Sequence, residues 1–129
     1  MVQWHHQLTR GINIMARTEI NEFGTEITYN DNGNLIHAKY SDGIEIWNEY
    51  DDKGNRIHFR NSNGYKEWWE RDNNGNCIHW WNSSGGECWS EYDENGNTIH
   101  WRDSSGTECW WDSDGELITK EEFDKLHAA

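Results

Sequence analysis

The sequence predicts an all-β fold: an antiparallel meander of repeated β-hairpins in a single curled sheet, with a short C-terminal α-helix. The first observation behind this is a period of 21 residues. Gly-Asn recurs at Gly33-Asn34, Gly54-Asn55, Gly75-Asn76 and Gly96-Asn97. Ile-His follows each time, at Ile36-His37, Ile57-His58, Ile78-His79 and Ile99-His100. A second glycine returns at Gly43, Gly64, Gly85 and Gly106, and a tryptophan at Trp47, Trp68, Trp89 and Trp110. Copies in register mean one small supersecondary unit stacked along an array. The second observation is turn chemistry. Residues 85–102 read as two β-like stretches split by Asp93-Glu94-Asn95-Gly96-Asn97, and the next break is Asp103-Ser104-Ser105-Gly106. Asp or Asn opening a turn that ends in Gly suits a type I turn followed by a left-handed residue. The third is aromatic spacing. A chain that is 33% hydrophobic with a net charge of −13 could be disordered, but 10 Trp at regular intervals and no Pro argue for a thin ordered structure.

The 129 residues suffice for one domain. Residues 1–23 read as a degenerate N-terminal strand pair acting as a cap, with Ile12, Ile14 and Ile20 available for packing. Residues 24–118 hold the hairpins. The end units, Gly24 to Gly33 and Gly106 to Gly115, are each two residues shorter than the internal ones, as altered capping repeats should be. Residues 119–128 read as a capping helix: Thr119-Lys120-Glu121-Glu122 is a capping box, flanked by Ile118 and Phe123 at the staple positions. Phe123 and Leu126 are then expected over the last strand's edge or apolar face.

A one-residue slip moves every side chain to the other face, so register is chosen to gather apolar groups. Placing Trp101 and Ile78 opposite Trp89 achieves this. One face then carries Trp47, Trp68, Trp89 and Trp110 with Ile36, Ile57, Ile78, Ile99 and the series Ala38, Phe59, Trp80, Trp101. The other carries the His column with Tyr50, Trp69, Arg71, Trp81, Tyr92, Arg102 and Trp111.

Tyr50-Asp51-x-x-Gly54-Asn55 and Tyr92-Asp93-x-x-Gly96-Asn97 resemble the tyrosine-aspartate (RHS-type) repeat, whose units are β-hairpins of about this length. The strand Trp47-Asn48-Glu49-Tyr50-Asp51 also resembles the MORN-variant repeat of small bacterial proteins often labelled antitoxins. The resemblance spans residues 24–118 and implies hairpin units. The Tyr-Asp pair is broken at Arg71-Asp72 and Ser113-Asp114. The large RHS proteins wrap a shell around a toxin, which needs more units than these.

Charge is uneven along the chain. Residues 1–71 hold 11 acids and 8 bases, a net of −3, whereas residues 72–129 hold 13 acids and 3 bases, a net of −10. Such a field repels nucleic acid and anionic membranes and attracts basic partners. No apolar run reaches the length of a membrane span, and Met1-Val2-Gln3-Trp4-His5-His6 lacks a signal peptide's apolar core. Three cysteines without a framework spacing, Cys77, Cys88 and Cys109, suit a reducing cytoplasmic setting.

With His79 opposite Cys88 and His100 opposite Cys109, a zinc set is chemically conceivable. His37 and His58 fill the same column without cysteines, so repetition accounts for it and no metal or other cofactor is expected. Cys77 reads as a small strand filler, and no catalytic constellation departs from the repeat. The acidic columns are the stronger lead: Glu49, Glu70, Glu91 and Asp112 as one series, and Asp51, Asp72, Asp93 and Asp114 as another. Their carboxylates would recur roughly every 10 Å, at every second strand.

The expected function is non-enzymatic inhibition of a basic protein, a nuclease or nucleic-acid-guided effector, by occluding its nucleic-acid site. The expected contact residues are Trp69, Glu70, Asp72, Trp81, Glu91, Tyr92, Asp93, Glu94, Trp111, Asp112 and Asp114, with aromatic anchors supplying affinity. The biological settings would be phage anti-defence, such as an anti-CRISPR or anti-restriction factor, or toxin immunity as an antitoxin. The alternative is a carbohydrate-binding or self-assembling structural module using exposed Trp, with a homodimer covering one apolar sheet face. Charge reversal at Glu91, Asp93, Glu94 and Asp112 is expected to weaken the complex and leave the fold intact.

Overall fold

Among the described residues, ten turns of one design set the fold. In each, the opening residue donates its N–H to the carbonyl four residues on, and a glycine three residues on donates back, as in Asp93 N–H to Asn97 O (2.9 Å) and Gly96 N–H to Asp93 O (3.1 Å). That glycine lies in the left-handed region, at φ 84° for Gly96, which side chains with a Cβ adopt at a cost. In nine of the ten the opening residue is Asp or Asn, and its Oδ1 accepts the N–H groups two and four residues ahead, at 3.0 and 2.9 Å from Asp93 and at 3.1 and 3.0 Å from Asn30. Tyr40 opens the tenth, where Asp42 Oδ1 accepts Ile44 N–H instead (3.0 Å).

The computed structural model describes residues 2–9 and 12–128, with side chains from residue 16 onward. The expected packing of Ile12 and Ile14 lies outside the described side chains. Two compact units divide the chain at Lys66/Glu67. The first contains β1 (Val2–Thr9), β2 (Ile12–Ile20), β3 (Glu26–Tyr29), β4 (Leu35–Lys39), β5 (Glu45–Tyr50) and β6 (Arg56–Asn61). The second contains nearly all of β7 (Lys66–Arg71), then β8 (Cys77–Asn82), β9 (Glu87–Tyr92), β10 (Thr98–Asp103), β11 (Glu108–Trp111), β12 (Leu117–Ile118) and α1 (Lys120–Leu126). Strand order in the sheet is chain order, and the pairing within each unit is antiparallel, so the protein is all-β, an open meander with one short C-terminal helix.

Register differs from the sequence expectation. Beside the aspartate turn Tyr92 pairs with Thr98, as the expected register requires, but a β-bulge at Ile99 then shifts the ladder. Beyond it Glu91 faces His100, Ser90 faces Trp101 and Trp89 faces Arg102. The same bulge recurs between Leu35 and His37, Arg56 and His58, and Cys77 and His79. Across the other turn, closure from Asn82 to Gly86 sets Trp89 opposite His79 rather than Ile78, and Cys88 opposite Trp80. An inserted residue re-aims every side chain after it. The Trp89 column and the His column therefore share one face. Trp69, Trp80, Trp101 and Trp111 lie on the other with Cys88 and Cys109.

Burial is thin. Among the described residues Ala16 and Ala38 are the buried apolar side chains, and no large side chain is fully enclosed. The sheet is consequently held by side chains lying flat along its two faces. α1 is capped as its sequence demands: Thr119 Oγ1 accepts Glu122 N–H (3.1 Å) and the Glu122 carboxylate reaches back to Thr119 N–H (3.3 Å). Phe123 then rests against His100, with ring centroids 6.1 Å apart.

Candidate functional site

Three surfaces result, and the expected contact residues are distributed over all of them. The first is the face shared by the His and Trp columns. In the second unit, Trp68 stacks on Trp81 (5.7 Å), Trp81 on His79 (4.4 Å) and His79 on Trp89 (5.2 Å), and the Arg102 guanidinium lies 4.3 Å over the Trp89 ring. His100 stacks on Trp110 (5.3 Å). The first unit repeats the pattern with His37 on Trp47 (5.3 Å) and Arg60 3.9 Å over Trp47.

Carboxylates flank the imidazoles. His79 meets Glu70 through Nδ1 (3.3 Å) and Glu87 through Nε2 (2.7 Å), and His100 meets Glu91 (3.2 Å) and Glu108 (2.6 Å) in the same way. Glu70 and Glu91 are thus engaged by the ladder, although Glu91 stays 65% exposed. Trp81, expected as an exposed anchor, is half-buried within the stack.

The second surface is the opposite face, with Trp69, Tyr92 and Trp111, also half-buried. The Tyr92 hydroxyl donates to the Cys77 carbonyl (2.6 Å), and Tyr50 does the same to Leu35 (2.6 Å). This tyrosine ties one hairpin to the preceding one. Arg71 takes its place in β7, where Nη1 donates to Gly75 O (3.2 Å). The cysteines of this face are free thiols, set away from the histidines, so the conceivable His-Cys pairing does not occur. Among the described residues no three His, Cys, Asp or Glu side chains are placed to hold a metal ion. Burial raises the Cys77 thiol's pKa, the Arg71 charge offsetting it only in part. Iodoacetamide at neutral pH should therefore alkylate Cys77 more slowly than a small free thiol, with the rate rising with pH. Peptide mapping by mass spectrometry checks this, and equal rates would contradict it.

The third surface is formed by the aspartate turns. In the second unit these are 72–76, 93–97 and 112–116, carrying Asp72, Asp93, Glu94, Asp112, Asp114 and Glu116 and no base. Turns 82–86 and 103–107, at the strands' other ends, carry Asp103 alone. The series expected from the repeat is corrected at its end. Asp112, not Asp114, opens the last turn, because the final unit is two residues short; its Oδ1 accepts Asp114 N–H (2.9 Å) and Glu116 N–H (3.0 Å). Trp111 therefore holds the tyrosine's place, and Asp112 leaves the Glu49–Glu70–Glu91 series.

The opening aspartates are fixed charges. Asp93 spends Oδ1 on two backbone N–H groups and Oδ2 on the Asn97 amide (3.3 Å). The Asn97 N–H above all holds its carboxyl below the usual aspartate range, so it remains ionised. Reversing Asp93 or Asp112 would remove the turn's own acceptor, so a charge test that spares the fold belongs at Glu94, Asp114 and Glu116, which are exposed and open no turn.

Comparison with protein-family models and with curated proteins found no match. Among the described residues no helix is long and apolar enough to cross a membrane.

Proposed function

We propose that this protein is a non-enzymatic, acidic binding module that docks on a basic, nucleic-acid-handling protein and covers its nucleic-acid site. The observation supporting this reading is the aspartate-turn edge of the second unit, whose three turns carry six carboxylates, with Asp72, Asp93 and Asp112 each held on its own turn. Fixed charge spares the reorganisation that mobile side chains would need on binding, and it steers a basic partner over long range. Equivalent carboxylates recur roughly every 10 Å, a spacing wider than successive phosphates, so the edge competes for a basic groove as a surface of charge rather than as a literal copy of a strand. Phage anti-defence and toxin immunity in the cytoplasm are the two settings in which such a module would act, and the resemblance to the MORN-variant repeat accords with the second.

The test is capture from host lysate at low and at high salt, read by mass spectrometry, with added nucleic acid as competitor. A basic nuclease or nucleic-acid-guided effector that binds at low salt, is shed at high salt and is displaced by nucleic acid supports the reading. Recovery of only the protein itself, or of glycans irrespective of salt, would replace it with the self-assembling or carbohydrate-binding module. That second reading is favoured by one fact, that both faces carry aromatic rings which the sheet alone does not bury.

A further inference from the structure

The repeat leaves a cleft between successive aspartate turns. In the first unit one such cleft is lined by Asn30, Ile36, Tyr50 and Asp51. The last cleft of the second unit has the equivalent lining, Asp93, Ile99, Trp111 and Asp112, and departs from the pattern in three ways. The residues that open its two turns are both aspartates, where the first-unit cleft has Asn30 and Asp51 in those places, with Asp31 and Glu49 also in its lining. Trp111 replaces the tyrosine, so no hydroxyl reaches back to the preceding hairpin and the indole lines the cavity. Leu126 and His127, from the end of α1, close one side and leave a cavity of about 240 Å³.

We infer that this cleft receives an arginine side chain of the basic partner, with its guanidinium against Trp111 and hydrogen-bonded to Asp112. This deepens the acidic-edge reading and rests on it. The volume lies below the roughly 300–1,000 Å³ of drug-sized pockets and suits a single side chain. Asp112 uses Oδ1 on its own turn, and among the described residues Oδ2 takes no hydrogen bond. The His127 ring donates from Nδ1 to the Phe123 carbonyl (2.9 Å), so a neutral ring keeps Nε2 as an acceptor. No lysine or arginine lines the cavity to compete. Ile99 and Leu126 offer an apolar channel for the arginine's methylene stem. Arginine fits better than lysine, because a planar, weakly hydrated guanidinium stacks on an indole while keeping its donors for a carboxylate. The protein already stacks guanidinium on indole internally, with Arg102 on Trp89 and Arg60 on Trp47.

Titrating the protein with acetyl-Gly-Arg-Gly-amide at low salt, read by the indole N–H resonances, tests the assignment. The Trp111 signal should move with the arginine peptide, less with its lysine counterpart, and not with citrulline, which keeps the shape without the charge. Asp112→Asn should weaken binding about fivefold or more, the effect of one charge-assisted hydrogen bond. Its turn persists because asparagine opens turns here at Asn30 and Asn61. Asp51→Asn, in the first-unit cleft, should change nothing, and Trp111→Tyr, which restores the repeat's residue and is read by the backbone amides of Ile99 and Asp112, should weaken binding as well. Equal binding of citrulline, or unaltered affinity in both Asp112→Asn and Trp111→Tyr, would overturn the cleft. Shifts confined to the amides of Glu94, Asp114 and Glu116 would likewise overturn it while leaving the acidic-edge reading intact. Salt-independent capture of the partner would instead remove that reading.

Discussion

Trp89→Ala is expected to cost about 2–3 kcal/mol of folding stability. The Trp89 ring is held between the His79 imidazole, 5.2 Å away and inclined by 9°, and the Arg102 guanidinium, 4.3 Å away. Among the described residues of the unit, only α1, through Phe123 on His100, packs against that face, so cross-strand stacks do much of the work that a buried core does elsewhere. Truncating a fully buried Trp costs about 3–5 kcal/mol, and half-burial reduces this. Loss of the cation–π contact adds about 0.5–1 kcal/mol. Since a small domain is stable by only about 5–15 kcal/mol, the urea midpoint should fall clearly at constant slope. Trp89→Phe retains a ring in the stack and should cost about 1 kcal/mol. An unmoved midpoint in Trp89→Ala would mean that the ladder decorates the sheet without holding it.

Changing Glu94, Asp114 and Glu116 together to lysine should weaken the complex with a basic partner on the order of 100-fold at low salt, because like charges facing each other cost several kcal/mol. All three are exposed, and none supplies the acceptor that closes a turn, so urea midpoints should stay near the parent's. Raising the salt should bring the two affinities together as screening shortens the reach of the edge. Titration calorimetry across an ionic-strength series would read both effects. Equal affinity at low salt would remove the acidic-edge model. Asp93→Asn and Asp112→Asn complete the experiment by deleting charge without deleting the turn acceptor.

Much of this was legible because it is local. Gly at a left-handed position, Asp or Asn at the turn opening, and Thr-x-x-Glu at a helix start each act within about five residues, so hairpins and helix could be read directly. The faces could not be read that way, because they depend on register accumulated across turns. A signal for the bulge was nevertheless present. With uniform turns and no bulge, a residue on β9 would share its row with one 20 positions later on β11, and its repeat equivalent, 21 later, would point to the opposite face. One inserted residue per unit changes the row offset to 19, as in Trp89 opposite Arg102 and Arg102 opposite Glu108. Equivalent residues then share a face. An odd period of identical hairpins thus demands the bulge if its columns are to stay whole.

The candidate site divides along the same line. The charge excess of residues 72–129 and the aromatic columns are properties of composition, and the sequence alone determined them, together with the hairpin unit and the helix cap. Only the tertiary structure decided which ring stacks on which, that Glu70 and Glu91 engage histidines, and that Trp111 lines a cleft closed by α1. Turn chemistry is set by neighbours along the chain, whereas these contacts join residues on different strands, and a single bulged residue is enough to exchange one set of partners for another.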